Sequence, residues 1–245
     1  LRRGEMVASN QSLARKRVFI QNRPEIPTPE RNIEYVPIPG SDRPLTVWDG
    51  SYLPVDIELE MVLVASSREK IINEYRSVRQ LLDSSVHAPC QFYFDPDYIY
   101  FARFSNINRK GKYDYNQALP FSMTMNALPI KRLASGMLDV PIANGTVMFN
   151  PELHESLPRI LFKGSGNITI LVNGMEYIFK GLVDGNYGID SEIQEVYQIV
   201  DGVNIGINTK YYTHSYPSLR IGENTISWTG NASNVLVMPR WGAVL

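Results

Sequence analysis

From Val55 to Leu63 apolar and charged residues take turns, with Val55, Ile57, Leu59, Met61 and Leu63 set against Asp56, Glu58 and Glu60. That period of two predicts a strand buried on one face. The period then changes. Ile71, Ile72, Tyr75, Val78 and Leu82 recur at helical spacing, with Lys70, Asn73, Arg76 and Arg79 between them. Ser66 and Glu69 stand three apart in front, which reads as a capping box, so an amphipathic helix is expected over about 67–83. No other stretch carries a helical period. Val18-Phe19-Ile20 reads as a short strand, and Leu119, Phe121, Met123 and Met125 alternate as a longer one. Between them, Cys90–Phe94 and Tyr98–Phe104 flank Asp95-Pro96-Asp97, which predicts a hairpin, and Asn108–Lys112 predicts a polar turn. These elements make an α+β domain over residues 1–132.

Beyond Gly136 the pattern is all β. Short runs at Pro158–Phe162, Asn167–Val172, Met175–Phe179, Glu192–Gln198, Tyr216–Trp228 and Val235–Trp241 are separated by glycine and asparagine. Asn173-Gly174 between two of them is a strong hairpin signal. Regular short strands with turn signals predict a β-sandwich over residues 133–245. The fold class expected for the chain is α+β, mainly β.

One stretch fits neither pattern. Arg23 to Leu53 carries six prolines, Pro24, Pro27, Pro29, Pro37, Pro39 and Pro44, which exclude helix and central strand. Yet Ile26, Ile33, Tyr35, Val36, Ile38, Leu45, Val47 and Trp48 sit among them and favour burial. An apolar extended arm that cannot complete its own sheet is expected to lie on other protein, either its own body or a neighbouring subunit.

Composition narrows the function classes. At 245 residues the chain suits one or two domains, and its formal net charge of −1 gives no general pull toward nucleic acid or anionic membrane. Arg15-Lys16-Arg17 reads as a solvated edge. One cysteine, Cys90, excludes an intrachain disulfide framework, and no run approaches a bilayer-spanning length. The chain opens on Leu1, so its natural start is expected upstream. Sequons at Asn10, Asn144, Asn167 and Asn231 mean little without a secretory signal.

Catalytic chemistry finds little to stand on. His87, His154 and His214 lie far apart, and His87-x-x-Cys90 is a zinc fragment without a second pair, so no metal or cofactor is expected. Asp184, Asp190, Glu192 and Glu195 gather in one stretch; on a strand, Asp190 and Glu192 would share a face, the arrangement glycoside hydrolysis needs. Acids beside Asp184-Gly185-Asn186 read more simply as turn and surface residues. No phosphate loop, nucleophile elbow or dinucleotide fingerprint occurs. For glycan or partner contact, Tyr211, Tyr212 and Trp228 are the candidate aromatics.

Two sets of ordered motifs carry a resemblance. Arg23-Pro-Glu-Ile-Pro-Thr-Pro-Glu-Arg-Asn-Ile-Glu-Tyr35, a Pro39-Gly40, then Leu45-Thr-Val-Trp-Asp-Gly50 before an alternating strand resembles the N-terminal domain of the distal tail (Dit) proteins of long-tailed bacteriophages. Asp190-Ser-Glu, Val-Tyr197, Pro217-x-Leu-x-Ile-Gly222-x-Asn224-x-Ile and Pro239-x-Trp241 resemble that family's C-terminal galectin-like sandwich. The resemblance implies a structural, non-enzymatic protein of the virion, made in the host cytoplasm. It implies a homo-hexameric ring at the distal end of the tail tube, with the tail tube protein above and the tail-associated hub protein below. Receptor-binding or baseplate proteins would attach at the periphery, and DNA would pass through the lumen without specific binding; no membrane is involved. The arm, with Pro24, Ile26, Pro27, Ile33, Tyr35, Val36, Ile38, Leu45, Val47 and Trp48, would embrace the adjacent subunit. Galectin sugar-binding clusters are absent, so lectin activity is not implied. A carbohydrate-binding module and a cell-wall glycan hydrolase are the alternatives, and both leave the arm unexplained.

Overall fold

The structure, a computed structural model, describes residues 1–8, 11–110 and 117–245. Asn10 and part of the turn expected over Asn108–Lys112 lie outside the described residues. The chain forms two compact units, Leu1–Lys131 with Val244–Leu245, and Arg132–Ala243. The end of the chain therefore returns to the first unit, where Leu245 N donates to Pro129 O at 3.0 Å.

The first unit contains β1 (Met6–Ala8), β2 (Gln11–Ser12), β3 (Val18–Ile20), β4 (Arg31–Val36), β5 (Leu45–Tyr52), β6 (Val55–Val64), α1 (Ile71–Leu82), β7 (Ala88–Phe92), β8 (Asp95–Arg109) and β9 (Ala118–Ala127). Its main sheet runs β2-β1-β7-β8-β9-β6-β3. The alternation in β6 sets its register against β9. Ile57 faces Met125, Leu59 faces Met123, Met61 faces Phe121 and Leu63 faces Leu119, all buried. One face of this pair is thus continuous apolar surface, and α1 covers it with Ile71, Tyr75, Val78 and Leu82. Tyr75 packs edge-on against Phe121 at 5.6 Å and donates its hydroxyl to Ile107 O at 3.1 Å.

Three expectations need correction here. The helix begins at Ile71, and no side chain caps it. Ser66 instead donates its backbone N–H to Glu74 Oε2 at 3.1 Å, and its hydroxyl bonds the same carboxylate, so the capping box does not form. The hairpin turn falls at Tyr93-Phe94, because Phe92 pairs with Asp95; Pro96 lies inside β8, opposite a register shift between Cys90 and Phe92. The proline there breaks the ladder without turning the chain.

The second unit contains β11 (Val140–Pro141), β12 (Thr146–Asn150), β13 (Arg159–Val172), β14 (Met175–Asp190), β15 (Glu195–Val200), β16 (Val203–Gly206) and β17 (Gly222–Met238). The short β10 (Ile130–Leu133) and β18 (Gly242–Val244) carry the chain across the boundary between units. The sheet runs β11-β17-β13-β14-β15-β16, with β12 also on β17. Pro158–Phe162 and Asn167–Val172 are largely two halves of one strand, β13, and most of Tyr216–Trp228 and Val235–Trp241 falls in one strand, β17. Register shifts at Gly164–Ile168 divide each strand into two segments and let the sheet curl around one core. Gly230 marks the bend in β17: its φ is +88°, and a Cβ there would stand 2.2 Å from Asn167 O. Inside the curl, Phe162 packs against Phe179 at 5.3 Å and Tyr187 at 5.7 Å. Asn173 (φ 52°) and Gly174 (φ 82°) make the two-residue turn from β13 to β14.

Candidate functional site

The arm is not a bare extended strap. Arg31–Val36 and Leu45–Tyr52 are proline-free runs long enough to form a ladder, and they pair antiparallel as a two-stranded sheet of their own. Pro37, Pro39 and Pro44 fall in the connection, and Pro24, Pro27 and Pro29 precede β4. Leu53 N donates to Glu30 O at 2.8 Å and closes the base.

Side-chain bonds order the hairpin from within. Trp48 Nε1 donates to Ser51 O at 2.8 Å, and the Arg31 guanidinium stacks on the indole at 4.6 Å. Asp49 accepts from the Ser51 hydroxyl at 2.6 Å and from Asn32 at 3.0 Å. The Ser51 hydroxyl and amide, aided by Asn32, hold the Asp49 carboxyl below the usual carboxylate range.

What the hairpin lacks is cover. Ile33 pairs with Trp48 and Tyr35 with Thr46 on one face; Glu34 pairs with Val47 and Val36 with Leu45 on the other. Both faces are therefore apolar, and both are open: Tyr35 is 63% exposed, Leu45 54%, Ile38 46%, Trp48 42% and Val47 41%. An isolated two-stranded hairpin is marginal in water, and exposed apolar patches mark interaction sites. The base of the arm behaves differently. Pro24 and Ile26 are half-buried, and Ile26 packs against the first unit's own core. Beside it, Arg23–Pro27 and the acids Asp56, Glu58 and Glu60 line an open cleft of about 660 Å³. Pro27 is exposed at its rim. Arg15, Lys16 and Arg17 are all exposed around the end of a short 3-10 turn.

The remaining candidates do not converge. Tyr211 packs at a tilt on Phe179 (5.2 Å) and stacks on Tyr216 (5.7 Å). Trp228 is half-buried against the second core, and Asn144 brackets its backbone with two 2.9 Å bonds. Tyr212 alone stands out, 55% exposed with Lys180 Nζ 4.6 Å from its ring centre. One exposed ring gives no flat aromatic platform.

The carboxylates part company too. β14 ends at Asp190 and Glu192 lies in the turn that follows, so the two do not share a strand face. Asp190 is buried rather than a surface acid, gripped by Arg240 at 2.6 and 2.7 Å. Burial pushes its carboxyl up, but the Arg240 bonds and charge outweigh this and hold it below the ordinary range. An ionised carboxylate held by two bonds to a buried guanidinium has no proton to give, and it is almost wholly shielded from solvent. No periodicity in the sequence links residues 190 and 240.

His87 Nε2 lies 3.0 Å from Asn126 Oδ1, and Cys90 is buried with its thiol pushed far up by desolvation. Among the described residues no three His, Cys, Asp or Glu side chains come together as metal ligands would, and no helix is long and apolar enough to cross a membrane.

No protein-family model and no curated sequence matches the chain. Solved structures match it along almost its whole length. The Dit protein of phage SPP1, described as a paradigm of the hub adsorption apparatus in phages infecting Gram-positive bacteria, superposes with a TM-score of 0.70 at 13% identity, covering 96% of this chain and 98% of that one. Chains of the activated phage P2 baseplate, with Sr and with Ca, give TM-scores of 0.58 and 0.55 at 10% identity and 97% coverage of both chains. The class is therefore a mainly β, two-unit fold with one α-helix among the described residues. In particular, it is the Dit-like fold of phage tail hubs and baseplates.

Proposed function

We propose that this protein is a structural component of a phage tail tip, a ring-forming hub rather than an enzyme. The observation that carries the reading is the arm hairpin, internally bonded yet apolar and open on both faces. Burying its side chains against a neighbour would stabilise the assembly by about 25 cal/mol per Å² of apolar surface covered. A contact in which the arm of one copy lies on a different surface of the next is heterologous, and it closes into a ring when the rotation permits. Six copies would form the ring at the distal end of the tail tube, with the tube protein on one side and the tail-associated hub protein on the other. Receptor-binding or baseplate proteins would join at the periphery, and DNA would cross the lumen without specific contacts. The prolines at both ends of the hairpin restrict the free arm and reduce the entropy lost on docking. Its place is the virion, with assembly in the host cytoplasm. Electron microscopy of the purified protein tests this: six-fold rings support it, and single separate particles at all concentrations oppose it.

A further inference from the structure

Cations gather on one side of the first unit without acids to answer them. Arg15, Lys16 and Arg17 line an open cleft of about 270 Å³ together with Ser66, Glu74, Ser77 and Val78, so the short 3-10 turn lies beside α1. Lys70 precedes that helix, and Arg76 and Arg79 flank Ser77 and Val78 on it. All six cations are exposed, and among the described residues none of them is in an ion pair. Glu74 does not neutralise them from within. Its carboxylate is bonded by Ser66, which with the nearby charges of Arg17 and Lys70 holds it below the ordinary carboxylate range.

The arm carries the opposite imbalance, and on one face only. Leu45, Val47 and Asp49 alternate onto the face of β5 away from Trp48, and Glu34 pairs with Val47 there. Glu34 and Asp49 are exposed and in no ion pair among the described residues; the bonds to Asp49 come from the neutral groups of Ser51 and Asn32. The other face bears Ile33, Tyr35 and Trp48, with the Arg31 guanidinium over the indole. The hairpin is thus aliphatic and acidic on one side, aromatic and cationic on the other. Within a single copy the acidic face and the basic surface both stay open to solvent.

We propose that the basic surface made by Arg15–Arg17 and the outer side of α1 is the seat for the arm of a second copy, which lays its Glu34 and Asp49 face on it. The proposal rests on the ring reading above and adds the surface and the charges that receive the arm. Opposite charges around an apolar contact speed the encounter and fix its register. Arm and seat are different surfaces, so the contact is heterologous, as a ring needs. Two seats facing each other would repel, which disfavours a two-fold dimer through α1.

Charge reversal in the full chain tests it, with native mass followed across protein concentration in about 0.05 M and about 0.5 M salt. Glu34→Lys, and separately Arg15→Glu with Lys16→Glu, should each weaken association between copies about tenfold at the lower salt. Combining the three changes should regain most of that loss, and the higher salt should shrink every difference. Arg76→Glu with Arg79→Glu, on the exposed side of the helix, replaces the first basic pair if that pair unfolds the chain. A combined chain no better than the weaker single change overturns the proposal. Rings that ignore every reversal overturn the seat and leave the ring reading standing, whereas a natural chain that never associates overturns both.

Discussion

Arg240 holds Asp190 with two parallel bonds, Nη1 to Oδ1 at 2.6 Å and Nη2 to Oδ2 at 2.7 Å, with side chains 10% and 7% exposed. The pair does more than cancel charge. Arg240 Nη1 also donates to Leu157 O, its own carbonyl accepts from Arg132 Nη1, and its backbone N–H donates to Gly136 O at 2.7 Å. One ion pair thus ties β14 to both segments by which the chain enters and leaves the second unit.

Removing one partner leaves the other charged and buried. Arg240→Ala is expected to destabilise the second unit by about 3–5 kcal/mol, and Asp190→Ala with Arg240→Ala by clearly less than the sum of the single changes. Urea unfolding of the four proteins measures both. Equal additivity would remove the pair from the account.

The same pair sets an acid limit. Asp190 has a folded pKa below its unfolded value, so its contribution is fully present above the unfolded pKa, about 3.9, and is lost as pH falls through the folded one. The stability gap between the natural protein and Asp190→Asn should be constant from pH 7 to about pH 5 and narrow below about pH 4. A gap that widens on acidification contradicts the assignment.

Asn224 is fully buried and fully used. It accepts from Arg220 N and Asn173 Nδ2, each at 2.8 Å, and donates to Arg220 O at 2.8 Å and Gly222 O at 2.9 Å. Asn224→Ala strands several backbone groups and should cost about 2–4 kcal/mol, read as a lowered melting temperature.

Gly230 cannot carry a side chain where the sheet bends. Its positive φ and the 2.2 Å approach to Asn167 O predict that Gly230→Ala loses about 2 kcal/mol or more. Gly206, where a Cβ would meet nothing within 4 Å, is the control, and Gly206→Ala should cost far less in the same melt.

Much of the first unit is legible from side-chain period alone. The alternation from Val55 to Leu63 names the buried face that the structure uses, and Ile71, Tyr75, Val78 and Leu82 name the face of α1. Period reports local geometry, and it is weakest at ends and turns. Asp95-Pro96-Asp97 has turn chemistry, yet pairing of Phe92 with Asp95 takes the turn two residues earlier. The six prolines obscured a hairpin because their spacing, not their number, decides whether a ladder fits between them. Asp190 and Arg240 are fifty positions apart, and only the curled sheet brings them together.

The arm's role rests on one measurement above the others, the native mass of the full chain and of the chain lacking residues 23–53. Tyr35→Ser joins them as a point variant, since Tyr35 is 63% exposed and its loss should leave the melting temperature of a single copy unchanged. The account predicts a closed ring of six for the full chain, a folded monomer after deletion, and a weakened ring for Tyr35→Ser. A ring that survives deletion of the arm would contradict it.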